Sequence, residues 1–143
     1  MKFLGIFGLC LMPTTWAMGQ QLKKLVPSDF LSVRGQFFKG LPCGANTPIP
    51  EADLEKLKDH GTDIDRQKWL GYIRRAKNVM EGYDKWWSSI SITLRDGRRI
   101  ILDGNDFFCV RTKNPKTFYY FKLEKKDFEE LSQTWNDILR KVQ

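Results

Sequence analysis

The chain has 143 residues, with 24 Lys and Arg against 17 Asp and Glu, a formal net charge of +7 and 41% hydrophobic residues. That size suits one domain with its own core, and the positive excess argues against a basic target, because like charges slow docking. One histidine, His60, makes any Ser-His-Asp or Cys-His site depend on that single residue.

The first residues read as a cleavable export signal. Lys2 is followed by an apolar run of ten from Phe3 to Met12, and Pro13 breaks it. Thr15 and Ala17 then supply small residues at the −3 and −1 positions of a cut after Ala17. A run of that length is too short for a hydrocarbon core of roughly 30 Å, which takes about 20 helical residues. The expectation is a signal peptide over 1–17, a single domain over 18–143 with net charge +6 once Lys2 is gone, and no transmembrane segment after cleavage. Localisation follows as periplasmic or extracellular. Removing Cys10 leaves Cys43 and Cys109, which in an oxidising compartment are expected to form one disulfide. Such a bond closes a loop of about 67 residues and stabilises by roughly 4 kcal/mol on the chain-entropy model.

Residues 18–29 read as a polar lead-in, within a loop-rich stretch that reaches residue 49. Phe30 to Phe38 fits either a strand or a short helix capped by Ser28, and Gly40 to Pro50 is loop because proline and glycine crowd it. Pro50 opens a helix to about Asp59, with Leu54 and Leu57 on its apolar edge and Gly61 as its stop. Thr62 and Asp65 have a capping-box-like spacing before a second helix. There Trp69, Leu70, Ile73, Ala76, Val79 and Met80 keep helical period until Gly82.

From Ser88 to Leu94 the residues alternate, Ile90, Ile92 and Leu94 on one side and Ser89, Ser91 and Thr93 on the other, which predicts a half-buried strand. Arg95-Asp96-Gly97-Arg98 is a hairpin turn. A type I turn with Gly97 as a bulge residue is preferred, setting Leu94 opposite Ile100 and Ile92 opposite Leu102, so that both apolar sets share a face. Phe107 to Arg111 and Phe118 to Leu123 complete a four-stranded antiparallel meander over about 87–123. A helix over about 125–142 closes the chain, with Phe128, Leu131, Trp135 and Ile138 as the stripe that packs on the sheet. The fold class is α+β: N-terminal helices, meander, closing helix.

No catalytic or cofactor signature stands out. Asp59-His60-x-x-Asp63-x-Asp65 has metal-like residue types, but Asp63 and Asp65 suit a helix start, and His60 at a helix end is expected to face solvent. Asp103-Gly104-Asn105-Asp106 resembles the start of a calcium loop, yet Asn114 stands where the twelfth-position acid belongs, so a turn is expected. Glu81 and Asp84 offer carboxylates for glycoside cleavage without a spacing that selects a pair. No cofactor and no metal are assigned.

The aromatic and basic residues are the suggestive group. The third and fourth strands of the meander carry aromatics on both faces, more than one core layer needs. Tyr120 and one of Trp86 or Trp87 are left for the outer face beside Arg111, Lys113 and Lys122. The alternative is that a segment from the first third covers that face. The leading expectation is an exported, non-enzymatic binding protein of the inhibitor, immunity or adaptor kind, whose aromatic-basic sheet surface meets another exported or envelope protein, an anionic surface on that partner being favoured. The alternatives are an envelope-acting hydrolase with unrecognised carboxylates and a module for anionic lipid or polymer. Nucleic acid ranks lower, because the chain is read as exported.

Overall fold

The computed structural model describes residues 15–38, 51–79, 88–113 and 116–141. Within them lie four α-helices and one six-stranded antiparallel sheet. The helices are α1 (Thr15–Lys23), α2 (Glu51–Leu54), α3 (Arg66–Arg75) and α4 (Lys125–Lys141). The strands are β1 (Phe30–Gly35), β2 (Lys77–Val79), β3 (Ser88–Leu94), β4 (Arg99–Asp103), β5 (Phe107–Arg111) and β6 (Phe118–Lys122), in spatial order β1-β3-β4-β5-β6-β2. The expected meander is therefore the middle of a wider sheet. It gains an edge strand on each side from segments whose short apolar runs did not declare themselves as strands.

Register sorts the side chains. Val33, Ile92, Ile100, Val110 and Tyr119 lie opposite one another across five strands, and so do Gly35, Ile90, Leu102, Phe108 and Phe121. These rows form the inner face and share one core with Met18, Leu22, Trp69, Leu70, Leu131 and Trp135 of the helices. The outer rows are Ser32, Thr93, Arg99, Arg111 and Phe118, then Arg34, Ser91, Ile101, Cys109 and Tyr120.

The stretch from 18, expected to be lead-in, does structural work instead. Met18, Leu22 and Leu25 recur at spacings of four and three and are buried, so α1 joins the core. Thr15 to Ala17 form its first turn, and Trp16 there is 68% exposed. A 3₁₀ turn over Pro27–Asp29 leads into β1, which resolves the strand-or-helix ambiguity at Phe30 in favour of strand.

Gly35 is required by close approach. A Cβ there would meet the Ser89 carbonyl oxygen at 2.4 Å, in the corner where Gln36 N–H donates to that same oxygen at 2.8 Å. The free edge of β1 is closed by residues 59 and 60. Val33 N–H donates to Asp59 Oδ1 at 2.9 Å, and His60 N–H donates to the Val33 carbonyl at 2.7 Å. An edge closed in this way offers no template for a further strand.

Three expectations need correction. The helix from Glu51 stops at Leu54 rather than near Asp59, because the residues beyond it turn to reach the β1 edge. The second helix stops at Arg75 rather than near Gly82. Ala76 is extended, and Lys77–Val79 pair with β6, where open sheet hydrogen bonds outweigh another helical turn. In the hairpin, Gly97 is the bulge residue as expected, with φ +92°, and Gly97 N–H donates to the Leu94 carbonyl. The register is nevertheless two residues off the expected one: Ile92 pairs with Ile100 and Ile90 with Leu102, while Leu94 N–H meets the Arg98 carbonyl. A shift of two preserves side-chain parity, so the apolar face survives the difference.

The closing helix begins at Lys125 as expected. Its buried line runs Asp127, Leu131, Trp135 and Leu139, with Phe128 and Ile138 half-buried beside it. Trp135 Nε1 donates to the Gln36 carbonyl at 2.9 Å, and Asn136 both donates to and accepts from the Phe38 backbone at 2.8 Å. These bonds fix α4 to the chain leaving β1. Among the described residues no helix is long and apolar enough to cross a membrane.

Candidate functional site

Among the described residues, α2 packs on the outer face of the sheet over β3. Leu54 of α2 is fully buried outside the main core cluster, and the α2 segment packs on β3. Glu55 just after it receives the Ser91 hydroxyl at 3.3 Å and pairs with Arg99 at 3.3 Å. Ser91 and Ile101 are buried beneath this cover, so β3 is buried on both faces there rather than half-buried. The alternative reading, a cover drawn from the first third, falls in part on residues 39–50, which lie outside the described residues. Cys109, in the same outer row on β5, is buried as well.

On the β5–β6 half the aromatic and basic residues come together. Phe118 stands opposite Arg111 and is 41% exposed, and its ring stacks on Tyr120 at 6.5 Å between centroids. Lys116 Nζ lies 5.9 Å over the Phe118 ring, and Lys122 Nζ lies 5.5 Å over the Phe107 ring. Lys122 also faces Asp106 at 3.8 Å. Alternation explains the placement: residues 118, 120 and 122 of β6 all point outward, as does Arg111 at the end of β5. Burial first, then neighbouring Cys109, raises the Tyr120 hydroxyl above the ordinary phenol range.

Beside this stripe is a cleft of about 400 Å³ lined by Arg99, Arg111, Lys113 and Lys116 with Thr93 and Thr112. No carboxylate occurs among its described lining residues. Two other clefts of about 300 Å³ differ in charge: one mixes Lys24, Arg95 and Arg98 with Asp29 and Asp96, the other mixes Lys68 and Lys141 with Asp63, Asp65 and Asp137.

Four of the six residues expected at the interface, Arg111, Lys113, Tyr120 and Lys122, are thus placed on one side of the sheet. Arg111 and Tyr120 are half-buried, Lys113 and Lys122 exposed. Trp86 and Trp87 lie outside the described residues, as do Glu81, Asp84 and most of the expected signal segment. Sequence reasoning missed Arg99, Lys116 and Phe118 as members of the site. Phe118 was legible from the alternation along β6, whereas Arg99 enters only through the hairpin register.

The expected Cys43–Cys109 disulfide is not seen. Cys109 is a buried thiol in the middle of β5 between Ile101 and Tyr120, where it packs as a small apolar side chain, and Cys43 lies outside the described residues.

The metal-like cluster resolves into structural roles. Asp65 caps α3, its side chain accepting from Lys68 N–H at 3.1 Å. Asp59 accepts from the Val33 and Gly61 amides. Although burial pushes its carboxyl up, those bonds, with Arg34 and Arg66 nearby, hold it below the usual range. His60, expected to face solvent, is only 3% exposed. Its Nδ1 pairs with Asp63 Oδ2 at 2.9 Å and its ring meets Trp135 edge-on at 5.5 Å. Tertiary packing buries it because its backbone is pinned to the β1 edge.

Asp103 accepts from the Asn105 and Phe107 amides at 2.8 and 3.3 Å, closing the β4–β5 turn. Burial is the main cause that lifts its carboxyl to about 6. No family model matches the chain, and neither a curated protein nor a solved structure matches it.

Proposed function

We propose that the protein is a non-enzymatic binding protein of the inhibitor, immunity or adaptor kind, exported by a signal peptide over 1–17, and that it meets an acidic protein partner through the outer face of β5 and β6. The observation that carries this reading is the grouping of Arg111, Lys113, Tyr120 and Lys122 on one side of the sheet, beside an exposed, stacked Phe118. Aromatic and arginine side chains supply anchoring area at interfaces, and the surrounding lysines set the sign of the partner.

The proposed cut after Ala17 falls in the first turn of α1. A cut after Ala17 removes the solvent-exposed Trp16 and leaves buried Met18 as the first residue, so the core keeps its contribution from this helix.

The test is capture from envelope extract by the mature chain at moderate salt, with each retained protein identified and then measured against variants. The reading expects an acidic partner whose retention falls with Tyr120→Ala and Lys122→Ala and is unchanged by Lys24→Ala on another surface. Retention of polyanions alone overturns it in favour of a polymer- or lipid-binding module. Secretion is read separately, by sequencing the N-terminus of the protein recovered from the envelope fraction. An N-terminus at Met1, or no envelope pool, overturns export.

A further inference from the structure

We propose that docking of α1 closes the Ala17–Met18 bond to proteolysis, so that the leader is removed only before the sheet has assembled. This deepens the export reading above and rests on it. The enzyme it implies is an endoprotease with pockets for small side chains, taking Ala17 at −1 and Thr15 at −3. Water adds across the bond, its hydroxyl to the Ala17 carbonyl carbon and its proton to the Met18 nitrogen.

Conformation comes first. A protease takes several residues on each side of the bond it cuts as an extended strand, rising about 3.3 Å per residue. In α1 the same residues are helical, at about 1.5 Å per residue. Fraying of Thr15 to Ala17 alone does not deliver the bond, because the residues after it are held. Met18 is 1% exposed and Leu22 2%. Met18 Sδ accepts from Arg98 Nη1 at 3.4 Å, and Gln21 Oε1 accepts from the same nitrogen at 3.0 Å. Gly19 lies so close to β2 that a Cβ on it would meet Asn78 Oδ1 at 3.3 Å. Drawing residues 18–20 out as a strand therefore lifts α1 off the core, and cutting follows the population in which α1 is undocked. With two buried apolar side chains to expose, that population is on the order of one chain in a hundred or fewer.

Sequence separation supplies the timing. α1 packs against α3, β2 and β6, and Arg98 in the β3–β4 turn stands 80 residues beyond Met18. A chain exported from its leader onward has no platform for α1 until β6 has followed. The bond is open throughout export and shuts when the fold is complete, whereas a chain that folds first keeps its leader.

The experiment uses the full 143-residue chain and a purified leader peptidase in mild detergent. The peptidase is added either at the moment of dilution from denaturant or after folding is complete, and intact mass reads the Met18 N-terminus. The proposal expects cutting in the first order of addition and a rate at least about a hundredfold lower in the second. Leu22→Asp leaves the −3 and −1 residues untouched and is expected to bring the folded chain to within about tenfold of the refolding one. Its melting curve verifies that the remainder is folded. Arg98→Ala releases Met18 and Gln21 while Leu22 stays in the core, and is expected to speed cutting of the folded chain by about threefold or more. It keeps the test decisive where Leu22→Asp unfolds the whole chain. Cutting after Ala17 at equal rates in both orders sinks this inference alone. A folded Leu22→Asp or Arg98→Ala chain as resistant as the parent overturns it too, since protection then does not come from α1. No cut after Ala17 in either order sinks the export reading and this inference with it.

Discussion

Arg75 clasps Asp127 through two parallel hydrogen bonds, Nε to Oδ2 at 2.8 Å and a terminal nitrogen to Oδ1 at 3.0 Å, and so ties the end of α3 to the first turn of α4. The carboxylate is nearly buried while half of the arginine side chain is open to solvent. Removing the arginine strands a buried charge, but water at its open side limits the penalty. Arg75→Ala is expected to destabilise by about 1–2 kcal/mol. Asp127→Asn is expected to cost less, since an amide still accepts one bond. Denaturant melts of both variants and of the double variant give the coupling, and additivity within about 0.3 kcal/mol rules out the clasp as a stabilising pair.

Asp103 gives the stability curve a definite sign. Its carboxyl sits at about 6 in the folded chain against an ordinary 3.8 when unfolded, with burial as the first cause and Asp106 adding to it. The folded state therefore holds its proton more tightly between those values. Stability from this group is complete below about 4, falls as pH rises through about 6, and is absent at neutral pH, a swing of up to about 3 kcal/mol. Asp103→Asn keeps the acceptor oxygen for the Asn105 and Phe107 amides and cannot ionise. It is expected to be more stable than the parent at pH 7 and to flatten the profile between pH 4 and 6. A parent curve that rises steadily over that window contradicts the assignment.

Gly35→Ala places a methyl group 2.4 Å from the Ser89 carbonyl oxygen, which is backbone in the central β3 strand and has little room to move. The expected loss is about 2–3 kcal/mol, of the size seen for overpacking. A midpoint within about 0.5 kcal/mol of the parent means that β1 slides away from β3 without penalty.

Truncation separates the exposed and buried parts of α1. A chain starting at Met18 retains Met18 and Leu22, both essentially inaccessible, and is expected to melt like a chain starting at Thr15. A chain starting at Lys23 loses both side chains and leaves their space in the core empty. The cost is expected to exceed about 3 kcal/mol, enough to lower the melting temperature by many degrees. Equal melting of all three means that α1 contributes nothing to the core.

The second half of the molecule was legible because its local signals agree with the sheet. Ile90, Ile92 and Leu94 alternate, Gly97 demands a bulged turn, and Leu131 and Trp135 keep helical period, so strands and closing helix follow from side-chain parity alone. Lys77–Val79 continued the helical pattern of α3 equally well, and only the open edge of β6 drew them into a strand. His60 looked like a solvent-facing loop histidine, because nothing local announces that its backbone would be bonded to Val33 and its ring laid against Trp135. The site was half visible: parity put Arg111, Tyr120 and Lys122 on the outer face. Arg99 needed the hairpin register, and Lys116 needed the turn that carries it over Phe118.

By itself the amino-acid sequence determined the α+β class, the meander and its apolar face, the closing helix and the basic, aromatic-rich makeup of β5 and β6. These depend on period, turn chemistry and charge, which act over a few neighbouring residues. The tertiary structure decided which strands border the sheet, that α1 belongs to the core, that Cys109 is a buried thiol, and that α2 packs on the outer face of β3. It gathered Arg99, Arg111, Lys113 and Lys116 around one cleft. Those outcomes turn on which distant segments compete for the same edge or face, and the winner is set by burial and hydrogen bonds between residues far apart in the chain.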